Sequence, residues 1–116
     1  MAFKTLEKGG EELTNPYPRF DEIGDYVEGN ICAFIVDDYG NKRIELYKGE
    51  DADGEIKTQV LPALADLRKY YSQLKVGDYI RVEFVKVIPS NNENYSDKKL
   101  FKVQVDASRF LEFEGE

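Results

Sequence analysis

The stretch from Val76 to Pro89, V-G-D-Y-I-R-V-E-F-V-K-V-I-P, limits what this chain can fold into more than any other segment. Ile80, Val82 and Phe84 alternate with Tyr79, Arg81 and Glu83, and a period of two sends the two sets to opposite faces of a strand. One face makes core, and the other carries an aromatic beside a cation. Val85 follows Phe84 directly and Lys86 falls where an apolar residue is due, so a bulge that swaps the faces is expected there. Such a bulge implies a strongly curved sheet. Gly77-Asp78 supplies the turn into the strand, and Pro89-Ser90 ends it because proline donates no ladder hydrogen bond.

The remaining segments supply partners for this strand. Asp25 to Val36 reads as a long first strand, with Val27, Ile31, Ala33 and Ile35 in one register and Gly29 at a bend or a close approach. Asp37 to Asn41 is a turn leading to a strand over Lys42 to Lys48, whose apolar face is Ile44 and Leu46. Glu50 to Gly54 turns again, and Glu55 to Leu61 follows with Ile56, Thr58 and Val60 in one register, Lys57 and Gln59 in the other. Pro62 opens the one expected helix, because a missing N–H is harmless at its first position. Leu64, Leu67, Tyr71 and Leu74 give it an apolar stripe, while Asp66, Arg68, Lys69 and Gln73 face outward. Asn91 to Lys99 is a polar loop, and Leu100 to Val105 is the last strand, with Phe101, Val103 and Val105 inward.

The ends read differently. Residues 1–15 lack apolar periodicity and are expected to form a flexible arm, with the domain proper over 16–108 and a short acidic end over 109–116. Tyr17 and Phe20 are expected to pin the extended segment N-P-Y-P-R-F onto the domain.

Charge and composition exclude several classes. The net charge of −7 argues against a simple basic nucleic-acid binder, but it is unevenly spread. Residues 1–61 hold fourteen acids and seven bases, whereas 62–102 hold eight bases and five acids, which allows a local positive face. The lone Cys32 forms no internal bridge and has no histidine or second cysteine for zinc, so it reads as a small apolar residue. Asp51-Ala52-Asp53-Gly54-Glu55 suggests a calcium loop, but aligning Gly54 with that loop's glycine puts Gly49 and Val60 where carboxylates belong. A hairpin turn is the better reading. With no histidine, nucleophile motif or phosphate-binding glycine loop, neither an enzyme nor a cofactor is expected. No segment reads as a leader or a membrane span, so a cytoplasmic protein is expected, monomeric or homodimeric.

The order of three strands, one helix and two strands, with a glycine-bent first strand, resembles the OB-fold, an all-β five-stranded Greek-key barrel with a helix between strands three and four. The resemblance covers roughly residues 20–107, and the chain is similar in particular to small single-domain single-stranded DNA-binding proteins of bacterial viruses, which join an OB barrel to an acidic C-terminal end. It implies a sequence-tolerant protein that coats exposed single-stranded DNA in replication, recombination or repair, with replication or recombination proteins as further partners through the acidic end. The chain departs from the family in that this end is only a few residues long. The alternative is an acidic OB-fold interaction module that binds protein and no nucleic acid.

A single-strand binder needs cations for phosphates and aromatic faces for bases. On strand positions the resemblance points to Tyr39, Lys42, Arg43 and Tyr47 on or beside the second strand, Lys57 on the third, and Tyr79 and Arg81 on the fourth. Tyr95, Lys98 and Lys99 lie in the loop that closes over nucleic acid in many such domains. The same residue types also suit any solvated strand face or loop.

Overall fold

Alternation of apolar and polar residues decides most of the architecture. The computed structural model describes residues 10–91 and 97–113. It is a mostly-β molecule in which β1 (Tyr26–Val36), β2 (Lys42–Glu50), β3 (Ile56–Val60), β4 (Tyr79–Ile88) and β5 (Lys98–Asp106) form one antiparallel sheet in the order β3-β2-β1-β4-β5. Among the described residues β3 and β5 remain its two edges. The central strand changes partners along its length: Tyr26 to Asn30 pair with β4, and Asn30 to Val36 pair with β2. The glycine expected at a bend or close approach sits at this handover. A Cβ on Gly29 would lie 3.0 Å from the Tyr47 carbonyl of β2, so only glycine lets the strands meet without a shift.

Ile80, Val82 and Phe84 of β4 are buried, and the register of β4 against β5 slips between Phe84 and Lys86, where the sequence places a bulge. The faces swap there, so that Val87 packs on the core while Val85 is half exposed. A second bulge lies in β1 between Ile31 and Ala33 and was not expected. It moves Phe34, rather than Ala33 or Ile35, onto the core side opposite Ile44.

The core gathers Val27, Ile31, Ile44, Leu46, Ile80, Val82, Phe84 and Phe101 from the sheet, closed by Phe20, Leu61, Leu67 and Tyr71. Phe20 meets Phe101 edge-on at 4.9 Å between ring centres. The expected pin at Tyr17 is instead exposed, and Pro18 is the buried residue beside it. The helix is much shorter than its stripe suggests. It is a single α turn, α1 (Ala65–Arg68), followed by a 3₁₀ turn over Tyr71–Gln73, because Leu64 is extended and no side chain caps the start. Leu67 and Tyr71 still reach the core, since a 3-4-3 spacing is met equally by α and 3₁₀ turns in succession. Asp66, expected outward, is buried and accepts the Phe101 amide at 2.8 Å, which ties α1 to β5.

Two further expectations are corrected. In β3 the buried residues are Gln59, 1% exposed, and Val60, while Ile56 is 64% exposed, because Gln59 pairs with inward Leu46 and Ile56 shares the outward register of Thr58. The Gln59 amide donates to the carbonyls of Leu13 and Asn15 at 2.8 and 2.9 Å. The described part of the N-terminal arm is therefore held rather than loose. Glu12 bridges Tyr26, the Leu13 amide donates to the Tyr26 carbonyl at 2.8 Å, and Leu13 packs on the core. Residues 1–9 lie outside the described residues.

Candidate nucleic-acid interface

The strand registers define a single row across the solvent-facing side of the sheet. Thr58 pairs with Tyr47, Tyr47 with Asn30, Asn30 with Tyr79, and Tyr79 with Asp106, one residue from each strand. Tyr47 and Tyr79 thus share one face on either side of β1, roughly 10 Å apart at two strand spacings. The adjoining row is Glu28, Arg81 and Gln104, and the next holds Tyr26, Glu83 and Lys102. Arg43 lies further along the Tyr47 side of β2.

Neither arginine of the sheet is electrostatically free. The Arg81 guanidinium lies 3.7 Å over the Tyr26 ring and pairs with Glu28 at 3.6 Å and Glu83 at 3.8 Å. The Arg43 Nε donates to the Leu61 carbonyl at 2.9 Å, with Asp37 3.9 Å from the guanidinium. The Tyr79 hydroxyl donates to Glu28 at 2.9 Å, and burial followed by this carboxylate raises its pKa.

The C-terminal segment crosses the row. A 3₁₀ turn over Ala107–Arg109 is fixed by Asp106, whose carboxylate accepts the Ser108 amide and hydroxyl at 3.0 and 2.6 Å. The Asn30 amide, in the middle of the row, donates to the Arg109 carbonyl at 2.8 Å and the Gly77 carbonyl at 3.0 Å. The Leu111 amide donates to the Gly77 carbonyl at 2.9 Å. Gly77 is required here twice over: its φ is 102°, and a Cβ would come within 2.5 Å of the Phe110 ring. The strap ends by setting Phe113 edge-on to Tyr47, at 5.6 Å between ring centres, after placing Arg109 3.8 Å over the Tyr79 ring. It leaves a recess at each end. One, of about 330 Å³, lies among Tyr79, Arg81, Gln104 and Arg109; the other, of about 500 Å³, lies among Tyr47, Ile56, Thr58, Leu111 and Phe113.

Of the residues expected at the site, Arg43, Tyr47, Tyr79 and Arg81 do share this face. Tyr39 stands at the tip of the β1–β2 turn, 88% exposed, where the Asp37 carboxylate accepts the amides of Tyr39 and Asn41. Lys42 belongs to the register of Ile44 and Leu46, and its ammonium lies over the Phe34 and Tyr71 rings at 5.1 and 5.9 Å. Lys57 alternates with Thr58 and so points away from the tyrosine row, into a recess it shares with Lys48 and Gln59. Lys98 and Lys99 are not in a loop: they begin β5, paired with Ile88 and Val87, because β4 runs on beyond its bulge. They sit at the opposite end of the β4–β5 ladder from Tyr79, and the Lys99 ammonium donates to the Phe20 carbonyl at 2.6 Å. Tyr95 lies outside the described residues.

Sequence reading missed Arg109 and Phe113, since nothing in R-F-L-E-F says that it returns to the sheet. It also missed that the Asp51 carboxylate accepts the amides of Asp53 and Glu55 at 2.9 Å each, a turn built like the one at Asp37. Cys32, in the β1 bulge, has its pKa pushed up to about 11, by burial first and the Glu45 carboxylate second. No helix among the described residues is long and apolar enough to cross a membrane. No protein-family model, curated protein or solved structure matches the chain.

Proposed function

We infer that the protein binds single-stranded DNA with little sequence preference, on a sheet of the OB type, and coats exposed strands in replication, recombination or repair. The observation that carries this reading is the row in which Tyr47 and Tyr79 share one outward face, with Arg109 and the carboxylate-paired Arg81 beside them. Aromatic faces suit every base alike, and cations hold the backbone, which is the chemistry of sequence-tolerant single-strand binding. The sheet supports it too: five antiparallel strands in which the first is shared between β2 and β4, with α1 set between β3 and β4, are what an OB-type reading requires of the chain order. Fluorescence anisotropy of labelled poly-dT is expected to show binding at low salt that weakens as salt is added.

One observation favours a second reading. Arg43 and Arg81 both face carboxylates, in a chain of net charge −7, as in an acidic interaction module that binds a protein instead. Absence of poly-dT binding at every salt concentration would select it.

A further inference from the structure

We propose that Arg109, carried by the C-terminal strap rather than by the sheet, is a phosphate-binding residue of the single-strand site, and that Asn30 positions it. This rests on the single-strand reading above. Of the three arginines on or over the face, Arg43 and Arg81 are spent on carboxylates, whereas no carboxylate lies within ion-pairing distance of Arg109 among the described residues. Its guanidinium carbon lies 3.8 Å over the Tyr79 ring centre, a stacking distance, and it lines the recess of about 330 Å³ that Arg81 and Gln104 also line.

Stacking uses one face of a guanidinium and leaves its in-plane N–H donors available, the geometry that meets a phosphate with two parallel bonds. It also restricts the side chain before any ligand arrives. The backbone is equally fixed, since Asn30 holds the Arg109 carbonyl at 2.8 Å and Gly77 holds the next turn of the strap through Leu111. Two acids border the same recess, but both are engaged. Glu28 takes the Tyr79 hydroxyl and Arg81, and Asp106 takes the Ser108 hydroxyl and amide, which, with the Arg109 charge beyond ion-pairing distance, lower its pKa. With carboxylates so close, a lone phosphate binds weakly, and the subsite acts as one contact of a polymer site.

The test is anisotropy titration of the full chain with fluorescein-labelled poly-dT and with an abasic phosphodiester oligomer of equal length, using the parent, Arg109→Ala, Arg109→Lys and Asn30→Ala. Loss of one phosphate contact removes roughly 0.7 from the log–log salt slope. Between about 50 and about 200 mM salt the parent is therefore expected to lose roughly two- to threefold more affinity than Arg109→Ala, on both probes. Arg109→Lys should keep the slope while binding less tightly, because it keeps the charge and loses the paired donors. Asn30→Ala should weaken binding, since the guanidinium is no longer held in place. Tighter binding by Arg109→Ala and Asn30→Ala would show that the strap only covers the face, and would overturn the proposal. An effect of Arg109→Ala on poly-dT that vanishes on the abasic probe would overturn it as well, by assigning Arg109 to bases. If the parent binds and Arg109→Ala matches it in affinity and slope, this inference alone falls. If the parent does not bind poly-dT, the single-strand reading falls and takes this with it.

Discussion

Tyr47 and Tyr79 are the row's own tyrosines, but truncating either also frees Phe113 or Arg109 from its platform. Tyr39, 88% exposed at the tip of the β1–β2 turn and outside the row, is the control for them. Tyr39→Ala is expected to leave both poly-dT affinity and the urea midpoint within about 0.5 kcal/mol of the parent, as checked by anisotropy titration and urea unfolding. Cys32 makes a prediction of a different kind. With its pKa raised from 9.0 to about 11, the thiolate fraction at pH 8 falls about a hundredfold, and although the remaining thiolate is more nucleophilic, iodoacetamide should label the folded protein markedly more slowly than the urea-unfolded chain. Asp37 and Asp106 act on pH stability. The Asn41 backbone amide first for Asp37, and the Ser108 hydroxyl first for Asp106, lower their folded pKa values. A lowered folded pKa means that the unfolded chain binds protons more readily. The stabilisation is thus present above the ordinary carboxylate range and is lost as pH falls through and below about 4, which urea midpoints measured across that window would show. Residue by residue, parity told which side chains face out in β2 and in β4 up to its bulge, but not past the β1 bulge, where Phe34 turns to the core, nor in β3, where Gln59 is buried and Ile56 exposed. It could not tell which of the outward cations are already neutralised, because Glu28 meets Arg81 only once β1 and β4 are paired.

At the level of elements, the bulge in β4 was legible because adjacent Phe84 and Val85 break a strict alternation, and a bulge is the least costly repair. The long helix was not, since the same stripe is served by α1 and a 3₁₀ turn, with the Tyr70 and Tyr71 hydroxyls bonded to the Phe101 and Lys42 carbonyls. Leu67 is the anchor common to both versions. Leu67→Ala is expected to cost about 2 to 5 kcal/mol in urea unfolding, as it leaves a cavity in a small core. Nor was the N-terminal contact legible, because glutamine in a strand gives no sign of the carbonyls it serves. Deleting residues 1–15 removes both acceptors of the buried Gln59 amide and the packing of Leu13, and is expected to cost at least about 2 kcal/mol. The strap depends on Gly77. Gly77→Ala should release it, so that chymotrypsin cuts after Phe110 much faster than in the parent, a change that measures strap release separately from global unfolding.

Across the whole molecule, five strands and one small apolar layer were legible from periodicity, whereas the proposed binding face is assembled from pairings that no single segment announces. A chain of net charge −7 repels a polyanion at long range, so binding must come from short-range stacking and a few well-placed cations, and should be modest and salt-sensitive. The most direct measurement is the anisotropy of fluorescein-labelled poly-dT titrated with the full chain at low and then rising salt, repeated with a mixed-sequence strand. Single-strand binding through the tyrosine row predicts saturable binding at low salt, a steady loss of affinity with salt, and nearly equal affinities for the two strands. No rise in anisotropy at low salt, or a strong preference for one sequence, would contradict it.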